Sequence, residues 1–302
     1  MSAGRRARQT GRSLVELLIT LGIGLLISLF LVGLYLLGSS SGRALDEAQQ
    51  LEEGGRFVQQ LIARQLREAG YSPVVGTGRP RMYSWSDLGL NAPVYGCTGS
   101  FTTAINVAGG LVAPTCTANG DNDREAIEIR ALTVAANAAT GEGQTCLGTD
   151  APALGRNPLP AQPIVVNRYY LATGSSGRSE LFCSANGSTD TQSLAVGVEQ
   201  LVFWFGSNGL KDARQSVSRW DRAANVPDWT LVSAVRFCFV MASPDSAALS
   251  ARTGSGSGAG ITTYTDCLGT VRDSSTDGRL RRAYWTTVTL RNVVNGSSTP
   301  LL

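Results

Sequence analysis

The pattern of apolar and polar residues begins with an uninterrupted apolar run near the N-terminus. No charged residue occurs between Leu17 and Leu37. A helix of this length, at about 1.5 Å per residue, matches the thickness of a bilayer's hydrocarbon core. The basic residues Arg5, Arg6 and Arg8 precede the run, and basic residues there retain the N-terminus in the cytoplasm. The run therefore predicts a membrane-spanning helix with the rest of the chain on the opposite side.

A second helical pattern follows the apolar run. Between residues 43 and 69 the apolar positions recur at spacings of three, four and seven, which places them on one stripe of a helix. These positions are Leu45, Leu51, Val58, Leu61, Ile62, Leu66 and Ala69. Gly54 and Gly55 interrupt the pattern at about 1 kcal/mol each, which predicts a kink or a local loosening. Gly70 suits a helix C-terminus, so the pattern predicts one long helix whose second half packs on a globular head.

Beyond Pro73 the helical period ends, and short runs typical of β-strands alternate with long connecting segments. Several runs alternate apolar and polar residues, as strands with one covered face do. The clearest runs are residues 126–132, 164–171, 180–183, 198–205, 231–241 and 284–290. The predicted fold is α+β, with a long N-terminal transmembrane and amphipathic helix packed on an antiparallel β-sheet head that carries long disulfide-stapled loops.

All six cysteines lie beyond the apolar run, and none forms a CxxC pair. An even, scattered set behind a membrane-targeting segment is typical of disulfides in an oxidising compartment. Bonds between sequence neighbours close the shortest loops. These bonds are Cys97–Cys116, Cys146–Cys183 and Cys238–Cys267. A cross-strand pairing that involves Cys183 and Cys238 is the main alternative, because both lie in predicted strands.

The composition narrows the classes of function. The chain has no histidine, which removes the Ser-His-Asp and Cys-His catalytic arrangements and most zinc sites. We therefore expect a non-catalytic protein without a metal or cofactor. The formal net charge is +3, and the three leading arginines account for all of it. A product that begins at Arg12 is neutral, so no direct nucleic-acid binding is predicted.

Three separated stretches carry recognisable motifs. The first is Gly11-Arg12-Ser13-Leu14-Val15-Glu16-Leu17, ahead of the apolar run. It looks like the class III signal of type IV pilins and pseudopilins. The second covers residues 53–57 and 61–71 and is similar to a GRF…LxRxLRxAGY segment; the third, residues 281–292, is similar to a terminal strand ending in LRN. Together the three stretches resemble the PilW-type minor pilins, and the middle of the chain resembles them only in strand texture.

The resemblance implies a minor pilin that takes part in type IV pilus assembly or priming near the pilus tip. It implies cleavage by a prepilin peptidase after Gly11 and N-methylation of the new terminus, Arg12. Family members usually carry Phe at that position, so Arg12 is a departure. Two alternatives stay open: a minor pseudopilin of a type II secretion system and, from a different class, a membrane-anchored periplasmic binding module.

The expected organisation and partners follow from the same resemblance. Residues 1–11 would form the leader, residues 12–70 the long helix (12–37 transmembrane, 43–70 amphipathic) and residues 71–302 the head. The protein would lie in the bacterial inner membrane as a single-pass protein with a cytoplasmic N-terminus and a periplasmic head, and then in the pilus at the cell surface. Its partners would be the prepilin peptidase, other minor pilins and the major pilin through the helix, the inner-membrane assembly platform and a tip adhesin.

Glu16 is an acid at the mouth of the apolar run. A carboxylate in a membrane costs about 2.5–3.5 kcal/mol on insertion scales, so its presence calls for a partner. In a bundle of such helices, Glu16 can pair with the free amino terminus of a neighbouring subunit. That contact is heterologous, and its repetition generates a helical filament. The alternative is a pair within one helix, between Glu16 and Arg12 four residues earlier.

Overall fold

The computed structural model describes residues 13–75, 81–82, 90, 92–105, 111–118, 120–137, 139–140, 142–156, 159–207, 217–244, 263–274 and 277–293. This part of the chain forms a long helix, α1, at Leu14–Glu68, followed by strands and three short 3-10 turns. The strands are β1 Val74–Val75, β2 Arg81–Met82, β3 Val94–Cys97, β4 Ala126–Leu132, β5 Ala153–Arg156, β6 Leu159–Thr173, β7 Ser179–Ala185, β8 Thr191–Val196, β9 Val198–Ser207, β10 Arg219–Asp221, β11 Val232–Ala242, β12 Thr263–Thr265, β13 Val271–Asp273 and β14 Arg281–Thr289.

Two antiparallel sheets form the body of the head. One has the strand order β10-β9-β11-β14, and the other has the order β3-β4-β6-β7-β8 with β5 paired to β6. The chain passes from the second sheet to the first through Gly197, which alone separates β8 from β9. Gly197 has φ of 89°, a left-handed conformation that glycine adopts without strain. The fold is α+β, as the sequence predicts.

The main core lies where α1 meets both sheets. Inward-facing aromatic residues of β9 and β11 stack in a row, with Phe203 and Phe237 centroids 6.2 Å apart and Phe237 and Phe239 centroids 6.4 Å apart. Against this row α1 packs its buried stripe, which includes Val58 and Ile62. Full burial of each such side chain stabilises the fold by roughly 1.5–3 kcal/mol. The helix is thus held by the apolar stripe that its sequence period predicts.

Gly54 and Gly55 allow this close packing. The helix runs through both residues without a break, and both glycines lie against side chains of the head. A Cβ atom on Gly54 would collide with the end of the Met241 side chain, and one on Gly55 would collide with the Tyr284 ring. The glycines therefore let α1 approach β11 and β14 at a distance that a larger residue forbids.

The polar positions of β4 are buried, although its alternation of apolar and polar residues is typical of a strand with one covered face. Glu128 and Arg130 occupy the polar positions of this strand, yet each side chain is only 1% exposed. Glu128 forms ion pairs with Arg130 at 2.5 Å and with Arg168 of β6 at 2.6 Å, and the Arg130 guanidinium lies 4.5 Å from the centre of the Tyr95 ring. Both faces of β4 are therefore covered. The polar face can be buried because its charged groups neutralise one another inside the protein.

The described cysteines form three disulfides between sequence neighbours. The Cα atoms lie 5.4 Å apart in Cys97–Cys116, 6.5 Å apart in Cys146–Cys183 and 5.6 Å apart in Cys238–Cys267. The third bond holds the β12–β13 hairpin against the outer face of the four-stranded sheet. Closing loops of 19 to 37 residues stabilises a fold by about 3–4 kcal/mol each in the chain-entropy account. The bonds therefore fix three long connections of the head.

Two of the long connecting segments between the predicted strands contain further strands. The segment at residues 135–163 includes β5 and the beginning of β6, and the segment at residues 207–228 includes β10. These strands are short or rich in proline and polar residues. Such runs lack an alternating apolar face, so only their pairing with a neighbouring strand defines them.

Replacement of Gly55 by alanine tests the packing role of the glycines. We expect Gly55→Ala to lower the free energy of unfolding by about 1–3 kcal/mol, because the added methyl group must displace the Tyr284 ring. Gly42→Ala is the matched control on the same helix, since no atom lies within 4 Å of its added Cβ. The control should be neutral or stabilising by up to about 1 kcal/mol. Denaturant unfolding in detergent measures both variants, and equal effects would contradict the packing role.

Candidate assembly site

A serine side chain caps the N-terminal turn of α1, the turn that carries the acid Glu16. Ser13 has an extended conformation, and its hydroxyl accepts a hydrogen bond from the Glu16 backbone N–H at 3.2 Å. Ser and Glu three residues apart form the first half of a capping-box pattern, which was present in the sequence as a signal for this helix start. The Glu16 side chain is exposed. Gly11 and Arg12, the expected cleavage and methylation positions, lie outside the described residues.

The first part of α1 leaves the head entirely. Leu14–Tyr35 is a 22-residue segment with a mean hydropathy of 2.7, and none of it is buried. Its large apolar side chains are between 51% and 78% exposed. Among the described residues, it is the helical segment with the length and the apolar composition needed to cross a membrane. Such a surface is unfavourable in water, so lipid or the helices of other proteins must cover it.

The polar groups within this segment are already satisfied. The Thr20 hydroxyl donates to the Leu17 carbonyl at 3.0 Å, and the Ser28 hydroxyl donates to the Gly24 carbonyl at 2.8 Å. These bonds keep the hydroxyls paired in a medium without water. Gly22, Gly24 and Gly33 have no atom within 4 Å of a built Cβ. In the single chain these glycines are therefore open to a neighbouring helix, although the close contact itself would be made only in an assembly.

The second half of α1 is fastened to the last strand of the head. The Gln59 amide donates to the Trp285 carbonyl at 3.1 Å and to the Thr286 hydroxyl. The Tyr284 hydroxyl donates to the carbonyl of Leu51 at 3.0 Å. Gly55 of the second motif stretch lies against the same Tyr284 ring, so the second stretch contacts the third, more than two hundred positions later in the chain. The two stretches that the sequence analysis singled out at opposite ends of the head form one interface.

The C-terminal end of α1 is held by the LRN motif. The Asn292 side-chain amide donates to the carbonyls of Arg67 at 3.0 Å and Ala69 at 3.2 Å. The last carbonyls of a helix have no hydrogen-bond donor within the helix, and here the Asn292 amide is that donor. Gly70 follows with φ of 76°, and its N–H donates to the Arg130 carbonyl at 2.9 Å. Sequence reasoning found the motif but not this capping role.

Charge pairs brace the same interface. Arg282 of β14 pairs with Glu52 of α1. Arg281 pairs with Glu199 at 2.7 Å and with Asp277 at 2.5 Å, and hydrogen bonds from Arg281 lower the pKa of Asp277 to about 2. The basic cluster at the start of β14 is therefore largely neutralised by acids of the same protein. Within the described part of the chain, no group of His, Cys, Asp and Glu side chains could hold a metal ion.

The observed arrangement is an apolar helix that projects from a head to which it is firmly attached. The comparison with known families bears directly on it. Part of the head is similar to a family of type IV pilus-assembly proteins. The matching family model is PilW, the type IV pilus-assembly protein W, over residues 168–292. This range begins within β6 and extends through β14, the strand that fastens α1. The resemblance to this family is thereby confirmed over that part of the chain.

Two further comparisons complete the result. A solved structure similar to this chain is a type IV-like pilin, TTHA1219 from Thermus thermophilus, at 12% sequence identity and a TM-score of 0.38. The match covers 81% of this chain and 97% of the Thermus pilin. No curated protein matches the sequence.

Replacement of Asn292 by alanine tests the cap at the end of α1. We expect Asn292→Ala to destabilise the protein by about 1–2 kcal/mol, because two helix carbonyls lose their hydrogen-bond donor. Arg291→Ala is the control, since the neighbouring Arg291 is exposed and should change stability by less than about 0.5 kcal/mol. Native-state hydrogen exchange should show faster opening of the last turn of α1 in Asn292→Ala alone. Unchanged exchange there would contradict the capping role.

Proposed function

We propose that this protein is a minor pilin, a non-catalytic subunit that takes part in the assembly or priming of a type IV pilus. The observation that carries the proposal is the exposed apolar segment Leu14–Tyr35, joined to a head that matches the PilW family. In the membrane this segment would anchor the subunit with its head in the periplasm. In the pilus the same surface would contact the helices of other minor pilins and of the major pilin.

The N-terminus would be generated by processing. Prepilin peptidase would remove the leader, residues 1–11, by cleavage after Gly11, and Arg12 would then carry the new, N-methylated amino group. The cleavage position lies two residues before the helix cap at Ser13. The peptidase would therefore act on chain that precedes α1, and the new terminus would lie within one turn of Glu16.

Glu16 would set the register between subunits. Its carboxylate lies at the start of an apolar helix, where an unpaired charge is penalised once lipid or protein covers the surface. The amino terminus of a neighbouring subunit would remove that penalty at one relative position of the two helices only. One subunit would contribute Glu16 and the other its amino terminus. Because these two surfaces differ, the contact is heterologous and would extend into a filament rather than close into a dimer.

The firm attachment of α1 to the head supports this role. Extraction of the subunit by the inner-membrane assembly platform would pull on the helix or the head. The hydrogen bonds of Gln59 and Asn292, together with the Arg282–Glu52 pair, would carry the force from one to the other. A membrane anchor that only tethers a binding module needs no such set of contacts along half of its helix.

Substitutions at Glu16 and Arg12 distinguish assembly from simple anchoring. We expect Glu16→Ala to reduce the number of surface pili strongly while membrane insertion is unchanged, because the subunit loses its register contact. Asp46→Ala, at an exposed acid later on α1, is the matched control and should leave piliation intact. Electron microscopy of the cells counts the pili, and membrane fractionation checks insertion. Normal piliation in Glu16→Ala would contradict the proposal.

Arg12→Ala separates the two candidate partners of Glu16 in the same experiment. If the neighbouring amino terminus is the partner, Arg12→Ala retains that amino group and should still assemble. If Arg12 itself is the partner, its loss should reproduce the Glu16→Ala defect. Intact mass, which should show loss of residues 1–11 and one added methyl group, verifies that each variant is processed.

A position near the pilus tip, next to other minor pilins and a tip adhesin, is the further part of the proposal. The head carries many long connections and three disulfides, which suits a place of limited stacking better than a repeating shaft. We expect immunogold label against the head to collect at pilus ends. Label distributed evenly along the pili would contradict the tip position.

A further inference from the structure

Within the described part of the chain, strand β8 presents an unpaired and uncharged edge of the six-stranded sheet. It lies at the end of the strand order, and its sequence, Thr191 to Val196, has no charged residue and no proline. Native sheet edges are usually protected by charge, proline or cover, because unpaired backbone groups can add a further strand. Strand β8 has neither a charge nor a proline to protect its edge, and Val196 is 47% exposed.

The other edges of the two larger sheets differ in this respect. The residues of β3 at the far edge of the same sheet are all buried. In the four-stranded sheet, β10 is three residues long and carries Arg219 and Asp221. The edge strand β14 receives the Gln59 amide from α1. Within the described part of the chain, β8 is therefore the edge best suited to accept a strand from another molecule.

A small apolar pocket lies at the C-terminal end of β8. Its volume is about 160 Å³, and its lining includes Leu51 of α1, Val196 of β8, and Met241 and Pro244 at the end of β11. Pockets for drug-sized molecules have volumes of about 300–1,000 Å³. This pocket is thus of a size to take one side chain rather than a whole small molecule.

Arg178 borders the same pocket. It lies in the turn that leads into β7 and is half-buried. Its backbone N–H donates to the Ser176 hydroxyl, and no acid among the described residues forms an ion pair with its guanidinium. The neighbouring acid, Glu180, instead accepts a hydrogen bond from the Ser176 hydroxyl. An arginine with no acid partner in the described part of the chain, beside an apolar pocket, is complementary to a ligand that joins a carboxylate to an apolar group.

We propose that this corner of the head binds the C-terminal segment of a partner protein as an additional strand. The segment would pair with β8 through backbone hydrogen bonds and run parallel to it, so that its end reaches Arg178. The terminal carboxylate would pair with the guanidinium, and the last side chain, a small apolar one, would enter the pocket. Strand addition supplies affinity, while the pocket and the carboxylate supply selectivity. This site is distinct from the exposed half of α1 and does not rest on the proposed assembly role.

A synthetic peptide with and without its terminal charge tests the proposal. The probe is a six-residue peptide, matched to the length of β8, of alternating threonine and valine that ends in valine and carries an N-terminal fluorophore. The protein is the full chain in nanodiscs, and fluorescence anisotropy measures binding. We expect the free-acid peptide to bind about tenfold to hundredfold more tightly than its C-terminal amide, the effect of a charge-assisted hydrogen bond.

Variants of the protein place the effect at Arg178. Arg178→Gln should reduce binding of the free acid to that of the amide and leave the amide itself unaffected. Arg67→Gln, at an exposed arginine in the last turn of α1, is the matched control and should bind both peptides as the parent protein does. Hydrogen exchange in the parent protein should show new protection of the β8 amides on addition of the free acid.

Four outcomes would overturn the proposal. Equal affinity for the acid and the amide would remove the role of Arg178, and protection confined to residues outside β8 would place the peptide elsewhere. The absence of binding up to about 1 mM peptide, or a concentration-dependent dimer that pairs two β8 edges and excludes the peptide, would assign the edge to no ligand or to a second copy.

Discussion

The apolar stripe on the second half of α1, packed against the inner face of β11 and β14, is the interaction on which the rest of the structure depends. It joins the start of the described chain to its last strand, and it brings both sheets into one core. Gly54 and Gly55 set the distance of approach, because a side chain at either position would meet Met241 or Tyr284. Because the second half of the helix is fixed in this way, its first half projects beyond the head.

This division of one helix into two environments is a consequence of surface area. The second half buries its apolar stripe inside its own protein, which is favourable at roughly 25 cal/mol for each Å² removed from water. The first half has apolar residues around its whole circumference and no head surface to cover them. Such a surface is unfavourable in water, and an unpaired charge such as that of Glu16 is penalised wherever apolar surroundings cover it.

The head combines a conventional aromatic core with charges in unusual places. Glu128 and two arginines are buried together between strands of the six-stranded sheet, a set whose members destabilise the fold if one is removed alone. Both arginines of β14 are paired with acids as well: Arg281 with Glu199 and Asp277 of the head, and Arg282 with Glu52 of α1. Arg178 beside its pocket stands apart from both groups, since no acid within the described residues neutralises it.

The helix and much of the sheet can be predicted from the sequence alone. The period of apolar residues from Leu51 to Leu66 marks one face of a helix, and the strands around Phe203 and Phe237 have enough apolar residues to be recognised from their own pattern. Loop closure also favoured the three pairs of neighbouring cysteines. These features depend on residues close to one another in the chain, so local periodicity and chain entropy are sufficient to predict them.

The partners of each element depend on packing between distant parts of the chain. The glycine pair in α1 predicted a kink or a local loosening, and the structure shows Gly55 as a point of contact, because the Tyr284 ring that needs the space lies 229 positions later in the chain. The alternation in β4 is typical of a strand with one covered face, yet Glu128 is buried, and Arg130 and Arg168 neutralise it there. The amide of Asn292 caps a helix more than two hundred residues away. A residue's partner is set by packing between distant elements, and no period within a single element records it.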